Sequence, residues 1–341
     1  MTRRILTIVL WLIALGTVNV ASAETYAEAL TKQCQKGKAE GCFKLGVAYD
    51  NGLGVTQDSF KAAELFRKAC DGKNAGGCAA LGVAYDNGLG VTQDSFKAAE
   101  LFRKACDGQY AGGCWSLGVS YAHGTGVTQD SFKSAELFRK ACDGKDASGC
   151  FNLGVMYKNG TGVTQDSVKA VELYQKACDG KNANGCFYLG VSYEEGTGVT
   201  QDSVKAVELY QKACDGQFAG GCWSLGLKYA KGTGVTQDSF KAVELYQKAC
   251  DGQAAPGCFN LGAMYQQGTG VKQDYFKAVE LYRKACDGQS ASGCLSLGWM
   301  YVLGNGVRQS DVDALTFFGK ACDLKNERGC KRYAEFKTGK K

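Results

Sequence analysis

The eighteen cysteines of this 341-residue chain recur at a fixed interval of 36 residues, as from Cys34 to Cys70. Each interval contains two cysteines separated by eight positions, as in Cys34 and Cys42. Self-similarity at a period of this length is typical of a solenoid, in which one small unit stacks on copies of itself. The cysteine period therefore predicts a repeat protein, and it leaves the function open because solenoids mostly serve as binding surfaces.

The N-terminus has the pattern of a cleaved secretory signal peptide over residues 1–23. Two arginines precede an almost wholly apolar run from Ile5 to Val18, and a small-residue A-x-A cleavage pattern ends at Ala23. The apolar run is shorter than the roughly 20 residues that a membrane-spanning helix needs. We therefore expect an exported mature chain, periplasmic or secreted, with no membrane span and in a compartment where disulfides form.

The net charge is small and evenly distributed. The chain has 40 Lys and Arg against 34 Asp and Glu, and removal of the two arginines of the signal leaves 38 − 34, or +4. The only locally basic segment is the short tail at residues 337–341. Because no basic stripe of the kind that neutralises phosphates is present, we expect no nucleic-acid partner.

The segment 41–76 illustrates the repeat unit, which has two stripes of apolar residues at the 3.6-residue period of a helix. The stripe of helix A is Cys42, Leu45, Gly46 and Tyr49, and that of helix B is Ala62, Leu65, Phe66 and Ala69. Asp58 is placed to cap the N-terminus of helix B, and Gly72 is typical of a helix C-terminus. The unit is therefore predicted to be a helical hairpin.

Each repeat position is named after its residue in 41–76. The Gly46 column, for example, is Gly46 together with the residues at 36-residue intervals from it. A mid-helix glycine costs about 1 kcal/mol relative to alanine. Its recurrence in every copy predicts a close approach between the two helices.

The pattern LGxxYxxGxGVxxD followed by KAxELxxKAC resembles the Sel1-like repeat, a relative of the tetratricopeptide repeat. Cysteine pairs in every unit after a signal peptide resemble the Helicobacter cysteine-rich protein family. The resemblance covers residues 24–336. It implies an all-α fold, a right-handed α/α superhelical solenoid of helix-hairpin repeats with one disulfide per repeat.

The repeats divide the mature chain into four parts. A lone helix B occupies residues 24–40, and eight 36-residue repeats occupy residues 41–328. A lone capping helix A follows at residues 329–336, and the basic tail completes the chain. Both ends of the solenoid are therefore expected to be half-repeats.

Two disulfide pairings are conceivable, a short one from i to i+8 and a long one from i to i+28, as in Cys42 with Cys70. Eight helical residues span about 12 Å, beyond the reach of a disulfide, so the short pairing needs the chain reversal that segment 71–77 provides. The short scheme uses every cysteine, whereas the long scheme leaves Cys34 and Cys330 free in an exported protein. We therefore predict the pairs Cys34–Cys42, Cys70–Cys78, Cys106–Cys114, Cys142–Cys150, Cys178–Cys186, Cys214–Cys222, Cys250–Cys258, Cys286–Cys294 and Cys322–Cys330.

Helix A contains variable columns, chiefly the Phe43, Lys44 and Ala48 columns. Exposed variable columns of a repeat scaffold are candidate recognition positions, because packing does not dictate them. In tetratricopeptide-like superhelices helix A lines the concave surface, so the resemblance implies a groove there that binds a peptide or protein partner. The candidate groove residues are Lys44, Trp115, Ser116, Asn152, Met156, Tyr188, Trp223, Ser224, Lys228, Asn260 and Met264.

Two of these candidates, Trp115 and Trp223, fit a core role as well as a groove role, because the Phe43 column is mostly aromatic. The segment CWSLG at 114–118 recurs at 222–226, three units later, and CFNLG recurs at the same offset. We infer that a three-repeat block was duplicated. A groove built in this way would present the same pocket twice.

The cysteines and the single histidine do not form the pattern of a metal site. Structural zinc sites use closely spaced ligand pairs such as C-x2-C, whereas these pairs have the form C-x7-C. His123 belongs to the Asn51 column, which varies freely among the copies. We therefore expect no metal ion and no cofactor.

The resemblance also implies an alternative function, because members of the Helicobacter family are described as penicillin-binding proteins with weak β-lactamase activity. Serine β-lactamases need S-x-x-K, S-D-N and K-T-G motifs. This chain lacks the first two, and its Lys337-Thr338-Gly339 lies in the terminal tail. We therefore predict no catalytic residue, and a β-lactam or a cell-wall peptide stays an alternative ligand.

A second alternative is a rigid extracytoplasmic scaffold, which needs nothing beyond the repeats. A spacer predicts variation scattered over the surface, whereas the variation in this chain is concentrated on one face of helix A. This distribution favours binding of a peptide or protein partner by a chain that we expect to be a monomer.

Overall fold

The structure is a computed structural model that describes residues 20–339, with side chains from residue 25 onward. Residues 1–19 of the predicted signal peptide, and Lys340 and Lys341 of the predicted tail, lie outside the described residues. Between residues 20 and 339 the chain forms eighteen α-helices and no strand, which confirms the all-α fold. None of the helices in this range is long and apolar enough to cross a membrane.

Helices B and helices A alternate along the chain, so odd-numbered helices are helices B and even-numbered helices are helices A. The helices B are α1 (Val20–Gln35), α3 (Ser59–Asp71), α5 (Ser95–Asp107), α7 (Ser131–Asp143), α9 (Ser167–Asp179), α11 (Ser203–Asp215), α13 (Ser239–Asp251), α15 (Tyr275–Asp287) and α17 (Asp311–Asp323). The helices A are α2 (Ala39–Asn51), α4 (Ala75–Asn87), α6 (Ala111–His123), α8 (Ala147–Asn159), α10 (Ala183–Glu195), α12 (Ala219–Lys231), α14 (Ala255–Gln267), α16 (Ala291–Leu303) and α18 (Glu327–Lys337).

The described part of the chain divides into two compact units, residues 20–165 (unit 1) and residues 166–339 (unit 2). In each unit a helix A packs against the helix B before it and the helix B after it, and consecutive helices A also contact each other. Among the described helices of each unit, consecutive helices B make no such contact. Helix A therefore lies on the inner side of the stack within each unit, and its solvent-facing surface is called the inner face.

Local sequence signals set the helix ends. Asp58 caps α3 by accepting a hydrogen bond from the backbone N–H of Lys61 at 3.0 Å, as the sequence predicts. Helix α2 is followed by Gly52, whose φ of 69° lies in the left-handed region that glycine adopts without strain. The next hairpin repeats both signals, at Asp94 and Gly88. Equivalent residues therefore begin and end the helices of successive repeats.

The Gly46 column lies at a close contact between the two helices of a hairpin. A Cβ atom added to Gly46 would lie 2.6 Å from Cε1 of Phe66, and one added to Gly226 would lie 2.7 Å from Cε1 of Tyr246. A real Cβ atom does not approach a ring carbon this closely, because the steric repulsion is too great. The close approach predicted from the recurring glycine is therefore confirmed.

Gly72 follows the last residue of α3, as predicted, but it does so without the left-handed conformation common at helix C-termini. This glycine has a φ of −77° and is not in the left-handed region. Its Cβ would lie 2.7 Å from Cβ of Ala39, so glycine is required there for a close contact. The left-handed residue is instead the next one, Lys73, at a φ of 63°. Its equivalents are all left-handed, and only the one in the first described corner, Gly37, is a glycine. The others are Gln109, Lys145, Lys181, Gln217, Gln253, Gln289 and Lys325.

A disulfide crosses each of these corners. It joins the end of a helix B to the first turn of the next helix A, and the Cα atoms of Cys178 and Cys186 are 4.5 Å apart. Each cysteine is bonded to the one eight residues away, so all eighteen are used and none is free in the described chain. One disulfide per repeat, as the family resemblance implies, is thereby confirmed.

Removal of one bridge is expected to weaken the protein locally. Chain entropy assigns about 2.5 kcal/mol to a loop of this size, and each repeat contacts only its neighbours. We expect the double variant Cys250→Ala/Cys258→Ala to lose about that much protection in α13 and α14, with little change elsewhere. Native-state hydrogen exchange followed by mass spectrometry measures this. The control Cys322→Ala/Cys330→Ala should affect α17 and α18, and a uniform loss along the chain would contradict a local role.

Two adjacent corner residues are expected to respond to substitution in opposite directions. Gln217→Gly should raise the free energy of unfolding by up to about 1 kcal/mol, because it relieves a left-handed side-chain residue at φ 61°. Gly216→Ala should lower it by about 1–3 kcal/mol, because the new Cβ would lie 2.7 Å from Cβ of Ala183. Denaturant unfolding of both variants checks the pair, and changes of the same sign would contradict the assignment.

Candidate functional site

The predicted groove residues are distributed over the helices A of both units. Those in unit 1 are Lys44, Trp115, Ser116, Asn152 and Met156. Those in unit 2 are Tyr188, Trp223, Ser224, Lys228, Asn260 and Met264. They differ in how far they reach solvent.

The Lys44 column reaches the surface in both units, with one exception. Lys44 is exposed and forms an ion pair with Glu40 at 3.2 Å. Its equivalents Ser116, Asn152, Tyr188 and Asn260 are half-buried, whereas Ser224 is buried. This column therefore presents different side chains to solvent from repeat to repeat.

The expectation that the Ala48 column faces a ligand was wrong. Met156, Lys228 and Met264 are only 7–8% exposed. At this column the side chain of a helix A points towards the preceding repeat rather than to solvent. The sulfur of Met156 lies 4.0 Å from the hydroxyl of Ser134 on the preceding helix B, and Lys228 forms an ion pair with Glu194 on the preceding helix A.

Trp115 and Trp223 have equivalent surroundings in the two units. Each is half-buried and packs against the disulfide of its own corner and an alanine of the following helix B, Ala141 or Ala249. Within residues 25–339 neither buried indole Nε1 has a hydrogen-bond partner. Both rings therefore contribute to the core of their repeat and are only partly available at the surface.

Two further columns of the inner face were not among the predicted groove positions. The Val47 column is half-buried in every repeat and mostly aliphatic. It lies three residues after Lys44 and four before Asn51, a helical spacing that could have revealed it. The second is the Asp50 column, which contains acidic residues in three of the eight repeats.

In unit 2 the Asp50 column contacts the Phe66 column of the same hairpin. Glu194 accepts hydrogen bonds from the hydroxyl of Tyr210 and from the ammonium of Lys228, and Gln266 accepts one from the hydroxyl of Tyr282. Burial alone would raise the pKa of Glu194, but the hydrogen bonds from Lys228 and Tyr210 outweigh it, so the pKa is lowered. The ion pair of Glu194 and Lys228 thus joins two consecutive helices A within unit 2.

The remaining motif of the sequence lies at the end of the chain. Lys337 is the last residue of α18, and the Thr338 hydroxyl donates to the carbonyl oxygen of Ala334 at 3.0 Å. His123 is exposed at the last position of α6. The Thr338 hydroxyl thus hydrogen-bonds a carbonyl oxygen in the last turn of α18. His123 has the solvent exposure expected of its column.

A family model described as the Sel1 repeat matches eight consecutive segments of the chain. They are residues 39–74, 75–110, 111–146, 147–182, 183–218, 219–253, 255–290 and 291–326. A comparison with curated protein sequences gave no match.

Several solved structures are similar to this chain. A Sel1 repeat protein from Oxalobacter formigenes is 25% identical over 90% of this chain and 89% of its own, with a TM-score of 0.65. A protective antigen of uropathogenic Escherichia coli displaying an SLR fold is 26% identical over 91% of this chain and 82% of its own, with a TM-score of 0.49. Helicobacter pylori cysteine rich protein B is 36% identical over 37% of this chain and 91% of its own, with a TM-score of 0.32.

The eight matched segments cover most of the chain and contain both helices of each hairpin. The resemblance to the Sel1-like repeat is therefore confirmed, and the Helicobacter cysteine-rich proteins are represented among the similar structures. On this basis the chain belongs to the Sel1 repeat family.

Proposed function

We propose that this chain is an exported, disulfide-stapled repeat protein that binds a peptide or an extended protein segment along the inner face of helix A. The Sel1 repeat solenoid with a disulfide at each corner fits a protein-interaction scaffold. Its nine disulfides support a location in an oxidising, extracytoplasmic compartment.

The distribution of variation over the two helices carries this proposal. The Lys61, Glu64 and Lys68 columns on the exposed side of helix B keep the same residue in at least seven of the eight repeats. The Lys44 and Asn51 columns on helix A are also solvent-accessible, yet each contains at least five residue types. Because packing dictates neither set, the greater variation on helix A indicates selection for what its surface contacts.

A rigid extracytoplasmic scaffold is the second candidate, and the recurring disulfides favour it. A staple at every corner limits how far one repeat can rotate against the next. The two functions are compatible, because a preorganised surface loses less conformational entropy on binding. The β-lactam binding implied by the Helicobacter resemblance stays a prediction, which a hydrolysis assay with a cysteine-free control would test.

A charged, bulky side chain on the inner face is expected to weaken binding. Peptides selected from a random displayed library on the intact protein would serve as probes. We expect Asn152→Arg or Asn260→Arg to weaken their binding about tenfold or more, because each places a bulky charge on the inner face of one unit. The matched control is Gln247→Arg, which adds the same charge on helix B in a column where Arg103 and Arg139 occur naturally.

Circular dichroism and thermal unfolding of each variant would establish that the fold is retained. Equal binding by Asn152→Arg, Asn260→Arg and Gln247→Arg would contradict a site on helix A. Loss of binding only in Gln247→Arg would place the site on helix B instead.

A further inference from the structure

Two carboxylates of unit 1 lie on the inner face without a counter-charge. Asp50 and Asp86 occupy equivalent positions in the last turns of α2 and α4, and both are half-buried. Within residues 25–339 neither side chain has a hydrogen-bond or ion-pair partner. Their neighbours on the same helices do have partners, since Lys44 is paired with Glu40.

The fold does not require acidic residues at these positions. The same column contains Ala122, Ala230 and Gln266 in other repeats. A negative charge in the last turn of a helix is unfavourable, because it faces the negative end of the helix dipole. Burial also raises the pKa of Asp50, which shows that the site disfavours an isolated charge. Asp50 and Asp86 therefore need an explanation other than stability.

Unit 2 shows which group a carboxylate of this column binds. Glu194, the equivalent of Asp86 three repeats later, is paired with the ammonium of Lys228 from the next helix A. The side chain of Lys228 is almost fully buried, and the hydroxyl of Tyr210 completes the contact. This ion pair lies within unit 2 and does not involve Asp50 or Asp86. It shows where a cationic group binds next to a carboxylate of the Asp50 column.

That position has no cation in unit 1. The residues equivalent to Lys228 are Ala84 beside Asp50 and Ser120 beside Asp86. The residues equivalent to Tyr210 are Phe66 and Phe102, which lack the hydroxyl. In unit 1 the small residues Ala84 and Ser120 thus occupy the position that is occupied in unit 2 by Lys228.

We propose that unit 1 binds a protein segment through its lysine or arginine side chains, whose cationic groups take at Asp50 and Asp86 the place that Lys228 takes at Glu194. This inference rests on the proposed function and specifies the chemistry of the segment. A half-buried carboxylate without a counter-charge suits such a side chain, because it can accept a charge-assisted hydrogen bond from the cationic group. The same carboxylates repel an acidic segment.

The two carboxylates lie one repeat apart on neighbouring helices A, which contact each other side by side. Neighbouring packed helices have axes about 8–10 Å apart. Because an extended chain advances about 3.3 Å per residue, basic residues about three positions apart could reach both carboxylates. A segment with two such residues is therefore the expected ligand.

The test uses the intact chain and peptides selected on it from a random displayed library. We expect the peptides that Asn152→Arg displaces to contain Lys or Arg. Their binding should weaken about 10- to 100-fold in Asp50→Asn/Asp86→Asn, since a charged hydrogen bond is lost at each position. The matched control is Asp71→Asn/Asp107→Asn, which removes the same charge from the exposed ends of helices B and should leave binding unchanged.

A second variant introduces a lysine of the protein itself at the cation position. Ser120→Lys should pair with Asp86 as Lys228 pairs with Glu194, and it should weaken the same peptides by about tenfold while the fold is retained. The burial of Lys228 shows that this column accommodates a lysine beside a carboxylate. A crystal structure of the Ser120→Lys variant would show whether the new pair has formed.

The outcomes separate this inference from the proposed function. Peptides that are displaced by Asn152→Arg but contain no basic residue, or that bind Asp50→Asn/Asp86→Asn as well as the parent, would overturn the inference alone. If no selected peptide responds to Asn152→Arg or Asn260→Arg, the proposed function fails and the inference fails with it.

Discussion

The corner between a helix B and the next helix A is the constraint on which the rest of each unit depends. Within a few residues the chain reverses, takes a left-handed conformation at the Lys73 column and closes with a disulfide. A Cβ on Gly77 would lie 2.5 Å from Cβ of Ala69, so the two helix ends are in direct contact. Helices of thirteen residues are marginal in isolation. The orientation fixed at the corner therefore decides which side chains face the next repeat and which face solvent.

Most of the fold could be predicted because its determinants are local and recur in every copy. The Asp58 cap and the Gly46 contact each depend on residues within one hairpin. The role of Gly72 could not be predicted, because a glycine at a helix end is compatible with a left-handed conformation or with a close contact. Only the backbone distinguishes them, with Gly72 in contact with Ala39 and Lys73 left-handed.

The candidate site was less predictable, because some residues on the inner side of helix A face solvent while others pack against the preceding repeat. Positions 44, 48 and 51 lie on one side of an isolated helix, yet the Ala48 column is buried by contacts that come from another repeat. Lys228 was misleading for a further reason, since a lysine is seldom buried unless it is paired. Its partner Glu194 lies 34 residues earlier, and no pattern within one repeat connects the two.

The duplicated blocks around Trp115 and Trp223 share their packing but differ in a group of positions that, in unit 2, contact one another. The positions are Asp86, Phe102 and Ser120 in unit 1, and Glu194, Tyr210 and Lys228 in unit 2. A buried ion pair seldom adds stability, because desolvation of both charges offsets their attraction. Stability therefore does not explain why Asp86 and Ser120 are replaced by Glu194 and Lys228 in unit 2. The proposed difference in what the two inner faces accept does account for it, because Lys228 pairs with Glu194 in unit 2 whereas the equivalent of Lys228 beside Asp86 is Ser120.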